Sequence, residues 1–331
     1  MRFLCVNKPA RSVIFGQEYQ LKPLDPKLEN LEDILATDND SASELLSRHP
    51  DILLEASFDR ANFVNFPTFV NRLEDIREGG SLLILRNGGI GDHVLLLPVL
   101  RLMRETLPNS VEIWLAAQKE KHAVYSCNGI IDRLLPLPMR LETLLEADYV
   151  IDFTERDDWY DLDHFHMTDC YLKYLDIDPI QSKDKTPRIA WPASRSPEIS
   201  KCFKGLRKSV PYKRFVLINW LASNRLRDLP PEKLLFLPEI FPGIHFIIAQ
   251  PKTHAEETAS ILNGLRDNHL DLSTLMSSLE DYMAVIANCD AVVSTDTAAC
   301  HLAEALGKSS LILYGPTRDE MWIRYHRKVS P

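Results

Sequence analysis

The pattern of apolar and polar positions changes near residue 80. Before that point apolar residues come in short, irregular bursts. There are two strand-like runs (Phe3–Val6 and Ser12–Phe15), an acidic, turn-rich segment and a short helix near Ser43–Arg48. A second amphipathic helix is predicted over Phe66–Arg77, closed by Gly79 and Gly80. From Ser81 onward, short wholly apolar runs alternate with stretches of helical spacing. Leu82–Leu85 is such a run, as expected of a strand buried on both faces of a parallel sheet. A glycine turn, Asn87–Asp92, leads into a helix over His93–Leu107 whose apolar positions include Leu96, Leu97, Leu100, Leu102 and Met103. Val111–Ala116 reads as a strand, Ala123–Cys127 as a helix, and Arg133–Pro136 and Tyr149–Phe153 as further strands.

Residues 183 to 213 interrupt this rhythm with prolines, serines and many basic side chains, a texture suited to a linker. A second series then begins with Phe215–Asn219 as a strand and Pro231–Phe236 as a helix, followed by Ile244–Ala249 as a strand and Ala255–Leu265 as a helix. Leu279–Ala287 reads as another helix, Ala291–Ser294 as a strand, Ala298–Leu306 as a helix and Ser310–Tyr314 as a strand. Two βαβ series imply two Rossmann-like α/β domains, each with a parallel sheet covered by helices, facing each other across a cleft. The expected boundaries are an appended module at 1–78, a first Rossmann-like domain at 79–190, a linker at 191–213 and a second domain at 214–331.

A length of 331 residues accommodates two cores. With 45% hydrophobic and 26% charged residues, the composition is that of a globular protein rather than a disordered one. The N-terminal MRFLCVNKPARSVIF has no sustained apolar region of a signal peptide. The longest apolar run, around Val94–Leu100, is too short to span a membrane, so the expected location is the cytoplasm. A net charge of −9 argues against duplex nucleic acid as a partner, although a small anion needs only a few local donors. The six cysteines, Cys5, Cys127, Cys170, Cys202, Cys289 and Cys300, form no CxxC pair and read as reduced thiols. His164, His166 and Cys170 do not make a complete ligand set, so neither a metal nor any other cofactor is expected.

The first stretch that carries chemistry is Arg86-Asn87-Gly88-Gly89-Ile90-Gly91-Asp92-His93, between a strand and a helix. Gly89 and Gly91 satisfy half of the dinucleotide-binding G-x-G-x-x-G pattern, but Val94 stands at the third glycine. Asp92 would also compete with a pyrophosphate for the turn's amides. That excludes a Rossmann oxidoreductase. Two roles stay open for Asp92: a general base kept ionised at a helix N-terminus, or a carboxylate that only caps that helix. His93, the adjacent alternative base, lies about 100° further round the helix.

The second stretch runs Ala291-Val292-Val293-Ser294-Thr295-Asp296-Thr297-Ala298-Ala299-Cys300-His301-Leu302, continues to Gly307, and is followed by Leu313-Tyr314-Gly315-Pro316-Thr317. It resembles the signature of glycosyltransferase family 9, the ADP-heptose transferases. There a strand ends in Asp-Thr-Gly, a helix carries His-Leu, and the next strand ends in an aromatic residue and Gly-Pro-Thr. Arg86-x-x-x-Ile90-Gly91-Asp92, with Pro98 and Leu102 behind it, resembles the family's N-terminal motif. The resemblance extends from about Ser81 to Thr317 and is weakest through 155–210.

The resemblance implies the GT-B architecture and an inverting sugar transfer, with no cofactor, from a nucleotide diphosphate sugar. ADP-heptose is the implied donor, and a lipopolysaccharide-type glycan the implied acceptor. Asp92 would be the catalytic base, and the loop of Gly89 and Gly91 would lie on the acceptor side. Asp296 would accept hydrogen bonds from the donor sugar, while the Thr297 hydroxyl and the amides of Thr297, Ala298 and Ala299 would hold the diphosphate. Ala298 replaces the family's glycine, and its methyl group narrows that approach. Within Ala222–Glu232, Ser223 falls at the family's hydroxyl position and Arg227 at its cation position. Glu256, ahead of Glu257, is the candidate ribose ligand, against a reading of both as solvated helix charges. His301 reads equally as a packed histidine or a ligand contact. Residues 1–78 lie outside the family pattern and suggest a different acceptor, such as a protein, or a role in assembly. The chain ends sooner after Gly315-Pro316-Thr317 than the pattern leads one to expect. The expected place is cytoplasmic, with peripheral contact at the inner membrane. The competing class is a non-catalytic nucleotide-sugar-binding or scaffold protein on the same frame.

Overall fold

A computed structural model describes residues 1–14, 17–23, 31–57, 63, 65–154, 164–192, 195–212, 214–222, 224–230, 233, 237–263, 268–315, 318–327 and 329–330. The chain divides into two compact units. Unit 1 is Met1–Gly88, Val99–Asp163 and Thr168–Lys183; unit 2 is Gly89–Pro98, His164–Met167 and Asp184–Pro331.

Unit 1 begins with β1 (Arg2–Val6), β2 (Ala10–Ile14), β3 (Gln17–Leu21), β4 (Leu35–Thr37), α1 (Asn39–Arg48), β5 (Leu53–Glu55) and β6 (Thr68–Phe69). Then come β7 (Ser81–Leu85), α2 (Ile90–Thr106), whose first residues count with unit 2, β8 (Glu112–Ala117), β9 (Arg133–Pro136) and β10 (Met139–Arg140). The last elements are α3 (Leu141–Leu144), β11 (Tyr149–Asp152) and α4 (Met167–Tyr174). One sheet is wholly parallel, ordered β6-β11-β7-β8-β9. Its strands β7 and β8 are apolar and buried after their first residues, Ser81 and Glu112, the form that burial on both faces demands. The chain reverses its direction of sheet growth between β7 and β11, so the glycine turn after β7 lies at the switch point of the sheet.

The N-terminal segment is joined to this sheet rather than folded apart from it. Its antiparallel sheet, β10-β4-β1-β5, borrows β10 from downstream. Phe3, Cys5, Ile34 and Ala36 share one hydrophobic core with Leu83, Leu85, Trp114, Ala116 and Val150. A module as small as residues 1–78, with strands of three to five residues in this sheet, buries its apolar side chains against the neighbouring sheet.

Unit 2 contains α5 (Pro197–Ser209), β12 (Arg214–Asn219), α6 (Leu237–Ile240), β13 (Ile244–Ile248), α7 (Ala255–Leu262), β14 (His269–Asp271), α8 (Leu279–Asn288), β15 (Ala291–Thr295), α9 (Ala298–Ala305), β16 (Ser309–Leu313), α10 (Glu320–Ile323) and β17 (Val329–Ser330). Its sheet is parallel throughout, ordered β14-β13-β12-β15-β16-β17. In sequence terms this is the doubly wound order 3-2-1-4-5-6, whose switch point lies between β12 and β15. Both sheets thus have the α/β form expected for GT-B.

Several elements differ from expectation. In place of a helix over Phe66–Arg77 there are β6 and a 3-10 turn at Leu73–Asp75. Pro67 has no N–H to offer a helix. Meanwhile the amides of Thr68 and Val70 find Asp148 O and Val150 O, each at 2.9 Å, so edge pairing outweighs the apolar spacing. The helix at Ala123–Cys127 is a 3-10 segment one turn earlier, Lys119–Val124. The stretch 191–213 contains α5, which starts on Pro197 and buries Ile199 and Phe203, an i, i+4 pair hidden among basic residues. Phe15, Leu265 and most of Pro231–Phe236 lie outside the described residues. Among the described residues no helix is long and apolar enough to cross a membrane.

Candidate functional site

The glycine turn is assembled from the bottom of β7 upward. Arg86 is fully buried in unit 1; its Nη1 donates to Phe153 O at 3.1 Å, and its guanidinium lies 5.4 Å from the centre of the Tyr171 ring. Asn87 Nδ2 donates to Asp38 Oδ1 at 2.9 Å and to Ser41 Oγ at 3.2 Å, both from the start of α1. The N-terminal segment therefore holds the first residues of the turn. Gly88 has φ +113, a conformation that side-chain-bearing residues rarely adopt.

The next residues open α2. Asp92 Oδ2 accepts from Gly89 N at 2.9 Å, and this is one half of a capping box, with a carboxylate reaching back to the residue before the helix. Asp92 is half-buried, so its carboxylate both caps the helix and retains a solvent-facing aspect. His93 is 0% exposed and packs inside the fold.

The second motif forms at the switch point of the unit 2 sheet. Thr297 is the N-cap of α9, with extended backbone at φ −146, and its Oγ1 accepts from Ala299 N at 3.2 Å. That same oxygen lies 3.1 Å from Ser294 Oγ and accepts from Asn219 Nδ2 at 3.1 Å. Asn219 ends β12 and also donates to Ser294 Oγ at 3.2 Å and Leu221 O at 3.0 Å, tying the ends of β12 and β15 together. Arg227 reaches the same point: its Nη1 donates to Asp296 O at 3.1 Å and pairs with Asp296 Oδ2 at 3.4 Å. Asp296 is buried and Arg227 half-buried, so a guanidinium is held at the mouth of a helix N-terminus. The combination of helix dipole, amides and guanidinium attracts an anion.

Within unit 2 the two motifs touch. A β-carbon built on Gly91 would stand 2.7 Å from Cδ2 of His301. His301 is buried, and its Nδ1 lies 3.3 Å from Nε2 of His326, so one ring N–H is shared between them. Burial pushes the His301 pKa well down, and His166 adds to the shift. Burial does the same for His326, followed by the charge of His301. Both rings are neutral. His166 packs edge-on against Tyr325, and its Nε2–H donates to Trp322 O at 3.1 Å.

Of the residues singled out in the sequence, Gly89, Gly91, Asp92, Arg227, Asp296, Thr297, Ala298 and Ala299 all fall in unit 2, the last four at one strand-to-helix junction that Arg227 reaches from a 3-10 turn. Ser223 lies outside the described residues. Glu256 is exposed on the first turn of α7, beside Glu257, which faces His254 Nδ1 at 3.4 Å. Among the described residues no group of three or more His, Cys, Asp or Glu side chains is placed to hold a metal ion. Two participants escaped the sequence reading. Asn219 carried a signal, as a lone amide closing an apolar strand. His326 carried none, because its value lies in meeting His301 from 25 residues away.

Comparison with known proteins agrees with this construction. Residues 243–330 match the sequence model of glycosyltransferase family 9 (heptosyltransferase). No curated protein sequence matches the chain. Among solved structures, the family 9 glycosyl transferase from Veillonella parvula superposes with a TM-score of 0.62 at 14% identity, over 77% of this chain and 87% of that one. E. coli ADP-heptose lps heptosyltransferase II superposes with a TM-score of 0.60 at 14% identity, over 76% and 89%. The chain is heptosyltransferase-like in sequence over 243–330 and has the heptosyltransferase fold. The family and both structures are those of sugar-transferring enzymes.

Proposed function

We propose that this chain is an inverting glycosyltransferase that moves a sugar from a nucleotide diphosphate to an acceptor hydroxyl. The donor is ADP-heptose, and the acceptor a lipopolysaccharide-type glycan or a protein, met in the cytoplasm or at the inner membrane surface. The observation that carries this reading is the contact of Gly91 with His301. It brings the turn that presents Asp92 onto the helix whose N-terminus is the anion site.

The residues divide the work by chemistry. The diphosphate lies at the start of α9, against the amides of Thr297 and Ala298 and the Arg227 guanidinium; the Ala299 amide is already engaged by Thr297 Oγ1. Asp296, buried beside Arg227, accepts hydrogen bonds from donor-sugar hydroxyls. Asp92 takes the acceptor proton as that oxygen bonds to the anomeric carbon. The anomeric carbon–phosphate oxygen bond breaks on the opposite face, and ADP leaves with the electron pair. Positive charge gathers on the sugar ring and negative charge on the departing diphosphate, where the helix dipole and Arg227 are already oriented to receive it. Incubation with ADP-heptose and acceptor, with ADP release followed over time, tests the reading. ADP release marks an enzyme, whereas ADP binding with no turnover of the donor marks a scaffold on the same frame.

A further inference from the structure

The basic stretch between the two βαβ series contains α5, and the transfer reaction uses none of its lysines. Ile199 and Phe203 face the core of unit 2, while Lys201, Lys204 and Lys208 are exposed at three- and four-residue spacing. That spacing sets the three ammonium groups in a stripe on the side of the helix away from the core.

The helix carries this stripe toward one edge of the unit 2 sheet. β12 and β13 are parallel, with Arg214 opposite Ile244, so both strands begin at that edge. The ring of Tyr212, between α5 and β12, lies 5.1 Å from the ring of His245, the second residue of β13. Just before β13, Ile240 and Phe241 are 57% and 46% exposed, with Pro242 and Gly243 exposed beside them. Ile244 N donates to Phe241 O at 3.1 Å, which ties the turn to the strand. Two adjacent large apolar side chains therefore stand in water at an edge where Lys208 ends α5 and Arg214 opens β12.

The charges at this edge do not cancel. Asp290, just before β15, is already engaged by Arg207 Nη2 at 3.7 Å and Phe215 N at 2.8 Å. Lys204, Lys208 and Arg214 pair with no carboxylate among the described residues. In a chain of net charge −9, a cationic edge is an asymmetry that turns the molecule toward a negative surface. Ammonium groups on flexible stems, spread along a helix, suit many mobile phosphates better than one small ligand. An apolar tip flanked by cations is the composition of a contact with a bilayer interface.

We propose that this edge of unit 2 docks on an anionic phospholipid bilayer. Ile240 and Phe241 enter the headgroup layer, and Lys204, Lys208 and Arg214 lie against lipid phosphates. The anion site at the start of α9 is at the other ends of the same strands, about 20 Å away along the six residues of β12, so docking leaves it open. The surface takes from the proposed function only the inner-membrane location, and its test needs no sugar transfer.

Co-sedimentation of the full chain with vesicles tests the proposal, using phosphatidylcholine alone and equal parts of phosphatidylcholine and phosphatidylglycerol. Binding is expected to the anionic vesicles only, and should weaken as salt rises. Each cation near such a surface contributes about fivefold, so Lys204→Gln, Lys208→Gln and Arg214→Gln together should weaken binding roughly a hundredfold. Phe241→Ser should weaken it about tenfold while the dependence on salt persists. All four side chains are exposed, so their replacement leaves the core intact. No binding to the anionic vesicles, equal binding to both kinds, or unchanged binding by the triple variant overturns the proposal. So does a dimer of the chain alone that the triple variant lacks in ultracentrifugation, because the cations then hold a second, acidic copy. ADP-heptose turnover plays no part in these measurements, so a failed transfer assay and a failed vesicle assay are told apart.

Discussion

The imidazole of His301 fills the space that a side chain at residue 91 would need, with Cδ2 at 2.7 Å and Nε2 at 3.2 Å from the β-carbon position. The ring cannot retreat easily, because His326 faces its Nδ1 at 3.3 Å and Trp322 lies beside it. Gly91→Ala is therefore expected to destabilise the protein by about 1–3 kcal/mol, the usual effect of overpacking. It should also slow sugar transfer, because the turn that presents Asp92 is displaced. Urea denaturation and an ADP-release assay check both effects. A variant that unfolds at the wild-type midpoint contradicts the tight contact.

Acid should loosen the same region. His301 and His326 are held neutral by burial, with folded pKa values below the unfolded value of about 6.5. Between those values the unfolded chain binds more protons, so stability rises with pH there. The contribution is complete above about pH 6.5 and is lost progressively as pH falls below it. The melting temperature should be lower at about pH 5.5 than at about pH 7.5. His326→Leu should flatten that difference. An undiminished difference in His326→Leu removes this residue from the pH dependence.

Sequence pattern made the two sheets legible because parallel strands buried on both faces advertise themselves as continuous apolar runs. Leu82–Leu85 and Phe215–Asn219 are found as β7 and β12 with ends shifted by one residue. The motifs were legible for a different reason: Gly91, Asp92, Asp296 and Thr297 sit at strand-to-helix turns, where residue type is tightly constrained by backbone geometry. What escaped depends on distance in the chain. Neither the core shared by Phe3 and Leu83 nor the pairing of His301 with His326 leaves a local trace. Phe66–Arg77 misled because apolar spacing says nothing of a neighbouring sheet edge waiting for amides at Thr68 and Val70.

Arg227 should matter to the donor rather than the acceptor. Arg227→Ala is expected to weaken ADP binding by roughly 1.5–3 kcal/mol, the value of a charge-assisted hydrogen bond. Arg227→Lys should restore only part of it, since an ammonium lacks the paired N–H geometry. Calorimetry that finds the same ADP affinity in Arg227→Ala as in the wild type takes this residue out of the nucleotide site.

Removal of residues 1–78 should disrupt unit 1 rather than trim it. The cut strips Phe3, Ile34 and Ala36 from a core shared with Leu83, Leu85 and Trp114, and removes the Asp38 partner of Asn87. The shortened chain is expected to lose the wild type's cooperative thermal transition and to bind a hydrophobic dye. A sharp melt near the wild-type temperature contradicts the shared core.

The central claim, that Asp92 is the base of a sugar transfer, is tested most directly by the transfer rate of Asp92→Asn. The carboxamide oxygen of asparagine accepts from Gly89 N as Asp92 Oδ2 does at 2.9 Å, so the start of α2 is preserved. What is lost is the ability to take a proton at neutral pH. Transfer from ADP-heptose should fall by roughly 10²–10⁴-fold, while ADP affinity and melting temperature stay close to wild type. Near-normal transfer by Asp92→Asn would show that residue 92 only caps its helix, and would contradict the mechanism.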